Sequence, residues 1–425
     1  MLSQLSCKSI NINDFLQKIF LKSYFCILIA DSNYYTSAMK KSFLPYVLAA
    51  TALLFSTIRT QAQVQLSPVL SDLNLEARVD FDYHNYNGSQ NTEDNTYGFG
   101  GRYFNIRLGG NLSEHFSYYL RQRIIATPGS STLFDNTDFL YINYKMSPNW
   151  TLRAGKDALL VGGFEYDAAP IDVYFNTYSW DMFYCFQLAA SASYTSSDGN
   201  QSVAFQVANS PYVYSLFYQP ATLGYENETS LLSYNLFWAG TFGHFKTLYS
   251  VNMFERERGY FMNYIALGHK LIYDRWDIYL DLMHHSLGTD DWGKTFGIVS
   301  CANYWIKPWL SVFAKGGYET NHSKYEIAYA DFASAVAPVD ALDILAQPET
   351  DSYFFGIGIE MMPPFCKDVR IHACVNQYKY THPDVNNPGS KTSDSRLNAK
   401  IGITWFMDIH RMVVERIKLF KNTGE

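Results

Sequence analysis

Charged residues are scarce in this sequence, and their shortage already excludes several classes of protein. They make up 17% of the 425 residues, below the roughly 25% of an average soluble domain. The net charge of −7 lacks the basic excess of a general nucleic-acid-binding protein, so we expect no nucleic-acid partner. Six cysteines are too few for a disulfide scaffold in a chain of this length.

Long hydrophobic runs are also missing, apart from one near the N-terminus. The mean hydropathy of −0.16 excludes a polytopic helical membrane protein. Aromatic residues, in contrast, are abundant at 17%, and so many of them exclude a disordered chain. A large aromatic-rich chain that is neither an average soluble protein nor a helical membrane protein is typical of outer-membrane β-barrels.

The one apolar run has the form of a secretory signal peptide. A basic pair, Lys40 and Lys41, precedes an uncharged stretch over residues 42–58, and small residues follow as far as Ala62. A basic start, an apolar middle and a small-residue end are the three parts of such a peptide. We therefore predict a signal peptide over residues 39–62, cleaved near Ala62, and export to a bacterial outer membrane.

The remainder of the chain alternates between polar and apolar side chains. Over residues 76–83 the charged residues occupy even positions, and similar alternation recurs over 276–282 and 396–405. A period of two is the pattern of a β-strand. Periodicity alone does not separate a soluble sandwich, which buries its apolar face, from a barrel whose apolar face meets lipid.

Three features favour the membrane barrel. The strands are about ten residues long, as a tilted membrane strand needs. Short turns alternate with long polar loops, which is the pattern of periplasmic turns and outer loops. An aromatic residue stands at or just after the end of five short turns, where an interfacial girdle would lie. These aromatic residues are Phe116, Trp150, Phe245, Trp276 and Trp309.

We therefore predict an all-β fold, a transmembrane antiparallel β-barrel of about sixteen strands. The predicted strands span 75–83, 99–110, 115–125, 137–145, 150–157, 183–195, 201–209, 229–240, 244–254, 260–272, 276–284, 294–306, 309–319, 352–361, 369–379 and 396–406. A barrel of that size leaves an aqueous channel in its interior.

The whole chain is expected to have four parts. Residues 1–38 are an upstream extension from a misassigned start, 39–62 the signal peptide, 63–406 the barrel and 407–425 a periplasmic tail. The tail mixes aliphatic with basic residues, which predicts a short amphipathic helix. The alternative for the N-terminal apolar run is an uncleaved anchor.

The segment between the fifth and sixth strands differs from an ordinary outer loop. Residues 155–174 are too apolar for an ordinary outer loop, and they contain two adjacent glycines at 162 and 163. We predict that this third outer loop folds inward and narrows the pore; the alternative is a strand with a bulge at the glycines. The charged residues predicted at this constriction are Lys156, Glu165, Asp167 and Asp172.

Several motifs carry a family resemblance. Trp150-Thr-Leu-Arg-Ala-Gly-Lys156, with Gly162-Gly-Phe-Glu-Tyr166, resembles the phosphate-selective porin O/P family as it occurs in Bacteroidetes-type outer membranes. The strand over 138–145 and the closing Gly402-Ile-Thr-Trp405 are similar too. The specific motif covers about thirty residues, and the rhythm of strands covers most of the chain. The resemblance implies a sixteen-stranded homotrimeric porin whose third outer loop lies in the lumen.

Strand parity places a set of basic residues on the lumen face of the first five strands. They are Arg78, Arg107, Arg121, Arg123, Lys145 and Arg153. Lumen charges select ions, and guanidinium groups suit phosphate or carboxylate, so this wall predicts a mild anion preference. Two alternatives stay open: a general pore with a field between basic wall and acidic loop, or arginines that pair with carboxylates and only rigidify the wall. The candidate carboxylates are Glu76, Asp80, Asp82, Glu165, Asp167 and Asp172.

Together these observations predict an outer-membrane porin for passive diffusion of small hydrophilic solutes. No motif predicts an enzyme, a cofactor or a metal site, and the cysteines after residue 62 are scattered. The expected partners are small hydrophilic or anionic solutes, outer-membrane lipid with lipopolysaccharide, and further copies of the chain in a homotrimer. The alternative function is a structural or adhesive barrel whose outer loops bind partners.

Overall fold

The computed structural model of the chain describes residues 69–88, 95–124, 134, 136–181, 185–212, 231–287, 293–323, 348–384 and 387–413. The predicted upstream extension and signal peptide, and most of the predicted tail, lie outside these residues. In the part that is described, no helix has the length and apolar character to cross a membrane.

Sixteen antiparallel strands close into a barrel in which each strand pairs with its neighbours along the chain and β1 pairs with β16. The strands are β1 (Asp72–Asn87), β2 (Thr96–Asn111), β3 (Phe116–Arg123), β4 (Thr137–Lys145), β5 (Trp150–Ala158), β6 (Phe186–Thr195), β7 (Gln201–Asn209), β8 (Leu232–Phe242), β9 (Phe245–Glu257), β10 (Tyr260–Tyr273), β11 (Trp276–Leu287), β12 (Thr295–Lys307), β13 (Leu310–Asn321), β14 (Thr350–Met361), β15 (Val369–Pro383) and β16 (Lys391–Asp408). Closure pairs every strand on both sides and leaves no open sheet edge. The predicted barrel and its strand count are confirmed.

Alternation along the strands puts apolar side chains on the outside of the barrel. In β14, Tyr353, Phe355 and Ile357 are exposed, whereas Phe354 and Gly356 between them are buried. An exposed apolar face on a closed barrel is the arrangement of a protein surrounded by lipid. The five aromatic residues predicted beside the short turns are likewise 37–44% exposed.

Several strands run further than the alternation predicted. β1 spans Asp72–Asn87 where 75–83 was expected, and β16 spans Lys391–Asp408 where 396–406 was expected. The added residues are mostly polar. Hydrophobic alternation marks only the part of a strand that faces lipid, whereas backbone pairing continues beyond it. After β16, residues 409–413 are helical.

The connection between β5 and β6 has its own structure. It contains α1 (Phe164–Asp167), a 3₁₀ turn (Pro170–Asp172) and α2 (Tyr178–Asp181). We call residues 159–181 the β5–β6 segment. Because no strand passes through the two glycines, the alternative of a bulged strand is wrong; Gly163 instead precedes α1 with φ 97°. The apolar residues of the segment join a buried cluster with side chains of β7, β9–β12, β14 and β15.

Candidate functional site

Arg78, predicted to line the pore, is buried beneath the β5–β6 segment. Its side chain is 1% exposed, and its Nη1 donates to the carbonyl oxygens of Ile171 and Val173 at 3.1 and 2.8 Å. Nε and Nη2 donate to Asp80 at 2.8–3.1 Å, and the guanidinium lies 4.7 Å from the centre of the Tyr174 ring. The charge of Arg78 therefore holds the segment in place and does not meet a passing solute.

Other wall residues bind the next carbonyl groups of the same segment in order. The donors are Lys400 Nζ to Tyr174 at 3.0 Å, Lys315 Nζ to Phe175 at 2.6 Å and the Tyr378 hydroxyl to Asn176 at 2.8 Å. These donors come from β16, β13 and β15. An extended backbone stretch without a sheet partner thus has its carbonyl groups satisfied by side chains of the barrel wall.

Two wall carboxylates cap the short helices of the segment. Asp281 of β11 accepts hydrogen bonds from the first two N–H groups of α1 at 2.9 and 2.7 Å. Glu319 of β13 accepts from the first two N–H groups of α2 at 2.6 and 2.8 Å. The first N–H groups of a helix have no partner within the helix, so these carboxylates supply it.

The three acidic residues predicted at the constriction have different surroundings. Glu165 is buried and pairs with Lys315 Nζ at 2.6 Å. Asp172 forms an ion pair with Arg370 of β15. Asp167 is exposed at the segment surface. Of the three, Asp167 is the one whose carboxylate is not engaged in an ion pair with a described residue.

Lys156, the fourth predicted constriction residue, lies in β5 and not in the segment. Its Nζ donates to the carbonyl oxygen of Phe134 at 2.6 Å, and the side chain is fully buried. The strand register pairs Lys156 with Leu140 and Leu188, both exposed on the lipid side. Its assignment to the constriction is therefore corrected: strand parity directs it away from the lumen.

The other predicted wall arginines lie on β2, β3 and β5, and each has a carboxylate partner. The pairs are Arg107 with Glu76 at 3.3 Å, Arg153 with Asp157 at 2.9 Å, and Arg121 and Arg123 with the two oxygens of Asp138 at 2.9 and 2.8 Å. Lys145, the last residue of β4, is exposed, and no carboxylate in the described ranges pairs with it. The pairing that the sequence left as an alternative is present, although two of its carboxylates had not been named.

Two irregularities in strand register explain the residues that sequence reasoning missed. A bulge in the β1–β2 pairing turns Arg102 inward, where it pairs with Asp82. A bulge in the β3–β4 pairing brings Asp138 to the two arginines of β3. A strict period of two assigns Arg102 and Asp138 to the lipid side, so alternation carries no signal for either.

The inner face of the barrel differs in exposure from one side to the other. We call the inner face of β2–β6 the open wall and that of β7–β14 the packed wall. On the open wall the side chains of Arg107 and Arg153 are 36% and 34% exposed. On the packed wall, Gln206, Asn252 and Asp281 are fully buried. The β5–β6 segment forms hydrogen bonds with all three of these side chains.

The site offers charge and aromatic surface. Within the described ranges no group of three or more His, Cys, Asp or Glu side chains is placed to hold a metal ion. Cys185, Cys301, Cys366 and Cys374 are free thiols. The chemistry available along the open wall is therefore the binding of passing solutes by ion pairing, hydrogen bonding and stacking.

Comparison with known proteins gives independent evidence on the family and the fold. A sequence model of the family "phosphate-selective porin O and P" matches residues 73–293, just over half of the 425-residue chain. No curated protein matches the chain. The chain is similar to the anion-selective porin from Comamonas acidovorans, with a TM-score of 0.53 and 14% identity over 79% of this chain and 98% of that one. The outer membrane channel DcaP of Acinetobacter baumannii is similar with a TM-score of 0.49 and 12% identity, over 79% of this chain and 96% of that one. At 14% identity, the likeness to the Comamonas porin shows a shared fold.

Proposed function

The chain belongs to the phosphate-selective porin O and P family, and on that premise we propose that its pore favours small anions over cations. The chain is an outer-membrane porin, a channel and not an enzyme, and it passes small hydrophilic solutes by passive diffusion. The proposed anion preference rests on one observation: the arginines of the open wall are more exposed than the carboxylates that pair with them.

This difference in exposure is consistent from pair to pair. Four of the five paired arginine side chains on the open wall are 26–42% exposed and Arg121 is 11% exposed, whereas the carboxylate partners are 3–7% exposed. The first four pairs are Arg102 with Asp82, Arg107 with Glu76, Arg123 with Asp138 and Arg153 with Asp157. A solute on this wall meets guanidinium N–H groups, whose geometry suits carboxylate and phosphate. Because the paired carboxylates offset part of the charge, we expect the preference to be mild.

We further propose that the β5–β6 segment lies inside the barrel and narrows the pore. Its hydrogen bonds to side chains of β7, β9, β11, β13, β15, β16 and β1 support this position, because these strands span more than half of the barrel, from β7 round to β1. The side chains concerned belong to the face opposite the exposed apolar belt. The segment would thus restrict solutes to the space along the open wall.

Reversal potential in a planar bilayer under a KCl gradient tests the anion preference. Protein expressed from the full chain and purified from outer membranes should give an anion-selective channel. Arg107→Gln with Arg153→Gln should move the reversal potential toward zero, whereas Arg275→Gln, at an exposed turn, should leave it unchanged. A cation-selective channel, or no response to the double substitution, would reject the preference. Absence of any channel would favour the structural or adhesive barrel.

We also propose that residues 1–38 are absent from the mature protein and that cleavage occurs near Ala62. Residues beyond Asp408 are then periplasmic. Three copies of the chain assemble in a membrane that contains lipopolysaccharide. The signal-peptide pattern over 39–62 supports the first two statements, and the family resemblance supports the trimer. N-terminal sequencing should find Gln63 first, and light scattering of the detergent-solubilised particle should give a trimer mass.

A further inference from the structure

Three aromatic rings adjoin one another on the open wall. Tyr119 of β3 and Tyr141 of β4 are paired across the two strands, with ring centres 5.7 Å apart. Phe139 lies 5.7 Å from Tyr119 and 6.0 Å from Tyr141. Such separations are those of interacting aromatic rings. We call Tyr119, Phe139 and Tyr141 the aromatic strip.

Each ring of the strip has a guanidinium beside it. Arg153 Cζ lies 4.1 Å from the centre of the Tyr141 ring, and Arg107 Cζ lies 5.9 Å from that of Tyr119. Arg121 Cζ lies 4.5 Å from the centre of the Phe139 ring. Contact of this kind holds a guanidinium near a ring face and leaves its N–H groups directed outward in the guanidinium plane.

The donors of Arg153 are only partly used within the chain. Its Nε donates to Asn143 at 2.8 Å and its Nη1 to Asp157 at 2.9 Å, and no described residue accepts a hydrogen bond from Nη2. About a third of the side chain is exposed, at 34%. A solute beside Tyr141 could therefore accept a hydrogen bond from a guanidinium that is already held in place.

The ring of Tyr119 lies against the sheet. Tyr119 is paired with Gly109 of β2, and a Cβ added at that glycine would lie 3.3 Å from Tyr119 Cδ2. Glycine thus gives the ring room to lie across the neighbouring strand. One face of the ring is turned to the backbone, so a solute would stack on the other face, beside the Arg107 guanidinium.

We propose that the aromatic strip and its arginines form a binding site for planar, ring-bearing anions, with aromatic carboxylates as the ligand class. The ring of the solute stacks on Tyr119 or Tyr141, and its carboxylate accepts a hydrogen bond from the guanidinium beside that ring, Arg107 for Tyr119 and Arg153 for Tyr141. This inference rests on the proposed anion-favouring pore and names the solutes that the pore would retain. An inorganic anion can pair with the same arginines but cannot stack on the rings. A site of this kind should therefore bind a flat aromatic anion more tightly than a non-aromatic anion of the same charge.

Block of the chloride current by two carboxylates tests the site. Benzoate and cyclohexanecarboxylate carry the same charge on a six-membered ring, but only benzoate is flat and aromatic. We expect benzoate to block at a concentration about three- to tenfold lower, the range that stacking on aromatic side chains supplies. Tyr119→Leu with Tyr141→Leu should abolish this difference. Tyr144→Leu, on the lipid side of β4, is the matched control and should keep the difference.

The outcomes separate this inference from the proposed function. Equal block of the native channel by both carboxylates overturns the inference, and so does a difference that survives the double leucine substitution. Tyr119→Phe with Tyr141→Phe keeps the rings and should keep the difference, which guards against a folding defect; its loss there would also overturn stacking. A native channel without anion selectivity rejects the proposed function, whereas an anion-selective channel without benzoate preference rejects this inference alone.

Discussion

The open wall and the packed wall both carry charged residues, but they use them differently. On the packed wall, Asp281, Lys315 and Glu319 bind the β5–β6 segment and are buried by it. On the open wall, Arg107 and Arg153 pair with buried carboxylates and stay about a third exposed, at 36% and 34%. A charge on the inner face of a barrel therefore acts on a solute only where no other part of the chain covers it.

Apolar packing, as well as charge, holds the β5–β6 segment against the packed wall. Leu159 and Phe175 of the segment share a buried cluster with Phe254 and Met262 of the wall. A Cβ at Gly162 would lie 2.6 Å from the carbonyl oxygen of Leu248, closer than real Cβ atoms come to backbone. The first glycine of the pair noted in the sequence thus allows the backbone of the segment to lie against the strands.

The largest expected effect comes from breaking the packed wall at Lys315. Its Nζ lies 2.6 Å from both Glu165 Oε1 and the carbonyl oxygen of Phe175. Lys315→Met leaves a buried carboxylate without a cation, which costs about 3–5 kcal/mol of stability. We expect a lower unfolding temperature, followed by heat-dependent gel mobility, and a larger single-channel conductance as the segment loosens.

Lys379→Met is the matched control for this substitution, because Lys379 is exposed on β15. It should change neither quantity. Unchanged conductance in Lys315→Met would mean that this ion pair does not hold the segment across the pore, and the distinction between the two walls would lose one of its causes.

Thiol accessibility measures the difference between the walls directly. Ser191 of β6 is half-buried on the open wall, whereas Ser233 of β8 is fully buried on the packed wall. In a background without the barrel cysteines, a charged methanethiosulfonate added to the bilayer should lower the conductance of Ser191→Cys. Ser233→Cys should keep its conductance, because the reagent does not reach a thiol beneath the packed residues. Equal reaction at both positions would contradict a division of the inner face.

The sequence predicted the barrel and its sixteen strands correctly, because alternation and turn residues are local signals. The burial of Arg78 could not be predicted, because its partners Ile171 and Val173 lie more than ninety positions away in the sequence. The inward orientation of Arg102 and Asp138 was also not predicted, because a bulge reverses the parity of a strand without changing its hydrophobic pattern. Strand parity locates a side chain on a face, but tertiary contacts decide whether a solute can reach it.

Removing a buried carboxylate from the open wall tests whether the exposed arginines of that wall select anions. Asp157 is 5% exposed and pairs with Arg153 at 2.9 Å. Asp157→Asn leaves the more exposed guanidinium uncompensated, so the chloride-to-potassium permeability ratio should rise. A partly exposed pair of this kind corresponds to about a two- to fivefold change in that ratio. Asp198→Asn, in the exposed β6–β7 turn, should not change the ratio, and a fall in Asp157→Asn would mean that the carboxylate does not oppose anion selection.

The smallest effect is expected at Lys145, the predicted wall residue that is exposed at the end of β4. Lys145→Gln should change stability by no more than about 0.5 kcal/mol, as for an ordinary surface position. Its influence on the reversal potential should appear at 0.1 M KCl and vanish near 1 M, because the screening length falls from about 10 Å to about 3 Å. Arg153→Gln should keep its effect at 1 M if solutes contact this guanidinium directly, as we propose; Asn143 and Asp157 hold it in place. If Lys145→Gln also kept its effect at 1 M, solutes would contact this end of β4 as closely as they contact Arg153, and the open wall would extend to the mouth of the pore.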